Sequence, residues 1–325
     1  MIDYLLRGQF IQDRQVEILP LAGGVSSEVT LVRTSSRQFV VKTALATLKV
    51  ADPWHCDPRR NLTEYQAIQY VSRFIPDAVP KTWGADTERH LFMMEYFGDE
   101  FTVWKSQLLE GVTCKATARE AADLLANIHN ETWQNSEAQQ IFDTTDDFYS
   151  LRIEPYLLMT GKRHPDLAHF FEAEADRLGR ARTALVHGDF SAKNILVSPR
   201  RCVVLDWEVA WFGDPAFDPA FLLNLFYLKS IYRREYFLQY MELIVAFLET
   251  YAERLAHYDD ALESRICRLT LLLMLARVDG KSPAEYISDD RQRAIVRGFV
   301  KQLLFDEVDE FGEVDARWRK EAANQ

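Results

Sequence analysis

The sequence lacks any window that reaches the ~18 consecutive apolar residues a membrane span needs. Its longest candidate, Leu269 to Val278, is short and carries Arg277 near its end. Cysteine is scarce. The four present (Cys56, Cys114, Cys202 and Cys267) are far apart and show no metal-ligand spacing, so reduced thiols in a cytoplasmic setting are expected. His55, Cys56 and Asp57 are adjacent, but no second ligand pair follows at a zinc-like interval, which argues against a metal there. Basic charge is also short: 38 Lys and Arg stand against 49 Asp and Glu, a net charge of −11. That balance speaks against broad binding to nucleic acid or anionic membrane. The opening M-I-D-Y-L-L-R-G-Q-F has no basic stretch followed by an apolar block, so no leader peptide is expected. There are no repeats and no low-complexity tract. What remains is an ordinary globular composition, 48% hydrophobic and 27% charged over 325 residues, enough for roughly one to three domains.

The most informative stretch runs from Ala184 to Phe221: A-L-V-H-G-D-F-S-A-K-N-I-L-V, a short break, then V-V-L-D-W-E-V-A-W-F-G-D-P-A-F-D-P-A-F. Two strand-like runs, Ile195–Val197 and Val203–Leu205, each abut acids and amides. Asp189 and Asn194 lie five positions apart on one loop, and Asp206 follows the second run. One carboxylate and one amide oxygen suit Mg²⁺, beside a second carboxylate that can face a hydroxyl. Phosphoryl transfer needs these parts, because its loose transition state is stabilised by metal charge and positioning.

H-G-D-x-x-x-x-N followed by D-W-E resembles the catalytic segment of the aminoglycoside phosphotransferase and choline kinase superfamily. The spacing matches the kinase loop H-R-D-x-x-x-x-N, with Gly188 in place of Arg. The resemblance implies a protein-kinase-like α+β fold. Residues 1–97 would form an N-terminal nucleotide-binding lobe with an antiparallel sheet and one main helix. Residues 98–325 would form a larger, mostly helical catalytic and acceptor-binding lobe. It implies an ATP- and Mg²⁺-dependent enzyme that moves the γ-phosphate to a hydroxyl of a small molecule, with Asp189 as base, Asn194 and Asp206 on the metal, and Glu208 either in the metal's outer shell or on the acceptor. Asp218 in F-D-P-A matches the acid that braces the catalytic loop, while Asp214 reads as a turn or helix-start residue. His187 reads as a structural hydrogen-bonder, and Lys193 either as a phosphate-neutralising cation or as surface. The alternatives are a nucleotide-binding module without catalysis and a protein kinase. No activation segment follows Glu208, where only V-A-W-F precedes the turn at Gly213–Pro215, and this favours a small acceptor. The acceptor itself and the oligomeric state are not readable.

Upstream, a short helix near Asp3 to Gln9 and a strand from Gln15 to Leu19 lead into L-A-G-G-V-S-S-E-V. Against the protein-kinase loop G-x-G-x-x-G-x-V, Ala22, Gly24, Ser27 and Val29 take the defined positions, and only Gly24 and Val29 agree. The G-G-V-S-S form resembles the small-molecule kinases. It makes Gly23, Gly24, Ser26, Ser27 and Val29 candidates for holding phosphate, since small residues let backbone N–H groups approach an anion. A plain β-turn is the alternative. Q-F-V-V-K ends in Lys42, expected on the nucleotide phosphates and paired with Glu64 on a helix from Asn61 to Arg73, with Asn61 as its cap. Lys49, Arg59 and Arg60 are further phosphate candidates. L-F-M-M-E-Y-F reads as a buried strand and a hinge. Met94 is expected behind the adenine ring, with Glu95 C=O and Phe97 N–H reading its edge.

From Phe101 the pattern turns helical. Thr117 to His129 carries a buried stripe, with His129 expected as a helix-end residue. Arg152, Glu154 and Tyr156 read as helix surface plus a core aromatic, with the acceptor rim as the alternative. Asp166 to Arg182 is another helix. Trp211, Tyr227 and Arg277 are pocket candidates by location. The charged tail from Asp306 onward reads as a solvated helix or a frayed end.

Overall fold

The computed structural model describes residues 2–21, 26–47 and 57–323. The chain separates into two compact units, Met1–Glu100 and Phe101–Gln325; the boundary expected from the sequence lies at 97/98.

The first unit holds α1 (Ile2–Arg7), β1 (Glu17–Leu21), β2 (Ser27–Arg33), β3 (Gln38–Ala44), α2 (Arg60–Val71), β4 (Thr82–Asp86) and β5 (Leu91–Glu95). Its five-stranded sheet has the order β1-β2-β3-β5-β4, and every neighbouring pair is antiparallel. Strand side chains alternate between faces. Phe39 and Val41 share one face with Val32, Leu91 and Met93, where Leu5 and Ile11 complete a cluster. Lys42 therefore falls on the other face, the one covered by α2. There Tyr65 packs on Phe92 with ring centroids 5.8 Å apart.

Helix α2 begins at Arg60, and its N-cap is Arg59 with no side-chain cap. Asn61 is thus not the cap expected of it. It lies inside the helix, buried, with Nδ2 donating to Lys42 O at 3.2 Å. Arg60 is buried as well, and its guanidinium is occupied by the carbonyls of Ser26, Leu45 and Asp57. Arg59 holds Asp57. These contacts fasten the start of α2 to the ends of β2 and β3. Gly23, Gly24 and Lys49, and the His55-Cys56 pair, lie outside the described residues.

The second unit opens with β6 (Thr102–Val103), α3 (Trp104–Leu109), α4 (Lys115–Thr132), α5 (Ser136–Ile141) and α6 (Thr145–Phe148). A π-helix (Tyr149–Leu158), α7 (Met159–Arg163) and α8 (Ala168–Arg180) follow. Four short strands come next: β7 (Ala184–Val186), β8 (Ile195–Val197), β9 (Cys202–Val204) and β10 (Trp211–Gly213). The unit ends with α9 (Phe217–Tyr232), α10 (Phe237–Arg254), α11 (Asp260–Asp279), α12 (Asp290–Phe305) and α13 (Phe311–Ala323). Helix α9 is buried from Phe217 to Ile231 and packs against α10 and α11. A helix apolar on nearly all sides belongs at the centre of its layer. Helix α13 corrects the reading of the tail. Phe311, Val314 and Trp318 recur at helical spacing and are buried. The Trp318 indole donates to Ser230 Oγ at 2.9 Å, so this face docks on α9. Among the described residues no helix is long and apolar enough to cross a membrane.

Candidate active site

The site grows from the end of β7, where the chain turns through His187, Gly188 and Asp189. Gly188 has φ +76°, and a Cβ there would lie 2.5 Å from Val209 O. Glycine is required on both counts. Asp218, fully buried at the start of α9, holds the turn: His187 N donates to its Oδ2 at 2.6 Å and Gly188 N to its Oδ1 at 2.9 Å. The His187 ring holds it from inside. Nδ1 accepts from Asp189 N at 3.1 Å and Nε2 lies 3.0 Å from Leu205 O, a set that places the proton on Nε2. Burial lowers the pKa of this ring against the pull of Asp218, so it acts as a neutral strut.

Asp189 is buried, and two cations share its Oδ2: Lys193 Nζ at 2.8 Å and Arg152 Nη2 at 3.2 Å. Burial pushes the pKa of this carboxyl up, but Lys193 and Arg152 outweigh it and hold the group below the usual range. Asn194 Nδ2 donates to Asp189 O at 3.0 Å, and the amide oxygen takes no part in that bond. The β8–β9 hairpin is in register from Ile195↔Val204, and Leu205 N donates to Asn194 O at 2.8 Å. That bond sets Asp206 beside Asn194. Asp206 has φ +67°, a left-handed conformation that costs roughly 1–2 kcal/mol for a non-glycine residue. Trp207 anchors the bend, with its indole donating to Val204 O at 3.2 Å and its ring 4.4 Å from that of His187. Carboxylate oxygens of Asp206 and Glu208 lie within 4.8 Å of each other. Two carboxylates and one amide oxygen are hard donors suited to Mg²⁺, so the residues present fit such an ion.

In the first unit, Lys42 Nζ lies 2.8 Å and 2.6 Å from the two carboxylate oxygens of Glu64, and both residues are buried. Val29 faces Lys42 across the β2–β3 register. Ser26 is part-exposed and its carbonyl is engaged by Leu45 N. Ser27 is buried with its hydroxyl unpaired. Met94 is buried opposite Val40. Glu95 closes β5, with its N donating to Lys81 O at 2.8 Å and its Oε2 accepting from Lys81 N at 3.1 Å. Phe97 is half-buried.

Several expectations change. Arg152 is not helix surface. It is buried on the π-helix, where Nε donates to Gly188 O and Nη1 to Leu151 O at 2.7 Å. Pro155 inside that helix removes a backbone donor, the one local signal of an irregular segment. His129 does lie in the last turn of α4, as expected, but it has structural partners. It is buried, its Nδ1 lies 2.7 Å from Tyr251 OH, and its Nε2 lies 3.7 Å from Asp218. Asp214 is more than a turn residue: besides accepting from Ala216 N it holds Arg177 and Arg265. Trp211 is core, stacked on Phe148 at 4.0 Å, and Tyr227 is buried with its hydroxyl on Asp315. Both are pocket candidates by location alone, and the structure buries both in the core.

Residues 17–259 match the model of the phosphotransferase enzyme family. Methylthioribose kinase 1 of Oryza sativa subsp. japonica is 26% identical over 61% of this chain and 53% of its own length. The chain thus spans about half the length of that curated relative. Among solved structures, a Plasmodium vivax ethanolamine kinase superposes with a TM-score of 0.56 at 12% identity, over 94% of this chain and 88% of its own. Amicoumacin kinase hAmiN, solved with AMP-PNP, Ca²⁺ and Ami, gives 0.52 at 14% identity, over 93% and 92%. These two likenesses concern the fold, which is protein-kinase-like.

Proposed function

We propose, for a chain that belongs to the phosphotransferase enzyme family, transfer of the γ-phosphoryl group of ATP to a hydroxyl of a small molecule. The observation that carries this reading is the loop that joins β7 to the β8–β9 hairpin. It offers one buried carboxylate, Asp189, clasped by Lys193 and Arg152, beside the Asn194–Asp206 pair. In this reading Asp189 accepts a hydrogen bond from the acceptor hydroxyl, aims its oxygen at phosphorus, and takes the proton as the new O–P bond forms and the bond to ADP breaks. A depressed pKa suits a base whose main task is orientation, because a loose transition state leaves the hydroxyl proton in place until late. Such a group contributes about 10²–10⁴-fold.

Asn194, Asp206 and Glu208 are the residues that would hold Mg²⁺, which supplies positive charge to the phosphate oxygens when bound. In the first unit, Lys42, oriented by Glu64, is assigned to the nucleotide phosphates, and the backbone of Gly23, Gly24, Ser26 and Ser27 to the same group, with Val29 beside Lys42. Met94, Glu95 and Phe97 are assigned to the adenine. Arg152, through Gly188 O and Asp189, positions the base.

The reading is tested by coupled ADP release with Mg-ATP against a panel of hydroxylated small molecules. Acceptor-dependent release is expected, and Asp189→Asn should keep ATP binding and lose most turnover. ATP binding with no acceptor-dependent release, or wild-type turnover in Asp189→Asn, would overturn it.

A further inference from the structure

We propose that the acceptor is an anionic alcohol, a hydroxylated molecule bearing a carboxylate or phosphate group that docks on Arg277 and Lys229. The inference rests on the phosphotransfer reading of Asp189 and concerns the acceptor side of that site.

A continuous run of side chains leads from Asp189 to these two cations, all within the second unit. Arg152 holds Asp189, and its guanidinium carbon lies 5.8 Å from the Tyr156 ring centre. Arg277 lies against the same ring, 5.9 Å from the centre, with Nη1 3.5 Å from the Tyr156 hydroxyl. Arg277 O accepts from Ala284 N at 2.7 Å, which brings the Glu285–Tyr286 segment alongside, and Tyr286 reaches Lys229; the Arg277 charge acts on Lys229 and Glu285. Lys105, which pairs with Glu285 and whose charge acts on Lys229, is tied to the loop that carries Asp189, its N–H donating to Ala192 O at 2.9 Å. Tyr156 therefore lies between two guanidinium groups, one serving the proposed base and the other open to a second role.

The charges along this run do not balance. Asp189 is taken by Arg152 and Lys193, and Glu285 by Lys105. Among the described residues no carboxylate pairs with Arg277 or Lys229. Arg277 meets only neutral oxygens, those of Ser282 and the Tyr156 hydroxyl, and its Nε is buried with no partner. Lys229 is 1% exposed on the buried helix α9. Its Nζ lies 3.4 Å from the Tyr286 hydroxyl and 4.9 Å above that ring. Such a contact is weak for a desolvated ammonium, because burying a charge without a counter-ion is costly. A methionine would fill the same space more cheaply.

Two titrating groups register the excess positive charge. Burial, then Lys105 and Arg277, push the Lys229 ammonium down to about 7. The Tyr156 phenol is raised by burial, yet Arg277 and Arg152 bring it below its ordinary value. A planar carboxylate or a phosphate matches the guanidinium fork. A polycationic acceptor would meet two like charges in a poorly solvated setting, a repulsion that opposes binding.

The test uses acceptors of similar size and different charge: glycerate and gluconate, glycerol 3-phosphate and glucose 6-phosphate, glycerol and glucose, choline and kanamycin. Binding is followed by saturation-transfer NMR on the full chain with Mg-AMP-PNP, and turnover by coupled ADP release. The expected result is binding and turnover in the carboxylate or phosphate arm. The arm that responds identifies the group. Arg277→Gln should raise the acceptor KM at least about tenfold, equivalent to roughly 1.4 kcal/mol, with the KM for ATP unmoved. Lys229→Met, which keeps the packing, supplies the same comparison if Arg277→Gln does not fold.

Equal or preferred use of a neutral or cationic acceptor overturns the proposal, as does binding of no member. An unchanged KM for the anion in either folded variant overturns it too. Arg277-dependent anion binding with no turnover of any member would instead refute phosphotransfer while leaving the anion site standing.

Discussion

Asp218→Asn probes how the catalytic turn is held. The wild-type carboxylate receives two buried backbone donors, His187 N at 2.6 Å and Gly188 N at 2.9 Å. Asparagine keeps one acceptor oxygen and turns an NH₂ toward the other N–H. The variant loses one charge-assisted bond, about 1.5–3 kcal/mol, and leaves a buried donor unpaired at a further ~1–3 kcal/mol. A destabilisation of about 3–5 kcal/mol follows, large against the marginal stability of folded domains. Asp218→Ala should be worse, because it orphans both N–H groups.

Urea unfolding read by tryptophan fluorescence measures this, since five of the seven tryptophans lie after residue 100. The midpoint should fall in the order wild type, Asn, Ala. Because the turn carries Asp189, turnover should fall as well, by up to about 10²-fold for a shift near 1 Å. A change below ~0.5 kcal/mol, typical of a neutral surface site, would refute the brace. The reverse order of Asn and Ala would do the same.

Three further outcomes are expected. Lys42→Met removes the cation paired with the buried Glu64 carboxylate and should cost up to about 3–5 kcal/mol; hydrogen exchange in the sheet should show it, and unchanged protection would contradict the burial argument. Gly188→Ala forces a side chain into φ +76° and against Val209 O. It should destabilise by at least about 1–2 kcal/mol and depress turnover; a variant as stable as wild type would show that the turn relaxes freely. Lys229 faces Lys105, Arg277, Glu285 and Tyr286. Its pKa of about 7 lies below the ~10.4 of an unfolded lysine. The folded chain therefore binds fewer protons between these values, and this group's penalty to stability, full below about 7, is relieved as pH rises. The charge that would hold an anion is lost over the same range, so the acceptor KM should climb from about pH 7 upward. A KM profile from about pH 6 to about 9 that is flat, or that persists in Lys229→Met, would contradict this.

Local chemistry made part of the site legible. Spacing along one loop and hairpin singled out Asp189, Asn194 and Asp206 as candidates, because loop and hairpin partners are close in sequence. The strand ending in Lys42 and the helix that follows it made the Lys42–Glu64 pair an expectation, and the structure forms that pair. Backbone readout at Glu95 and Phe97 leaves little trace in side chains, so those residues remain assigned by position in the chain.

What the sequence by itself determined was the outline of the two units and the loop and hairpin whose carboxylates and amide are the candidates for holding Mg²⁺ and a proton. Tertiary structure alone decided the company they keep. Arg152 reaches Asp189 from a π-helix 37 positions earlier, His129 and Tyr251 meet beneath Asp218 from two separate helices, and Arg277 joins Lys229 from α11 and α9. Periodicity reports which face of a helix is apolar. It does not report which buried charge lacks a partner, because that depends on where distant segments pack.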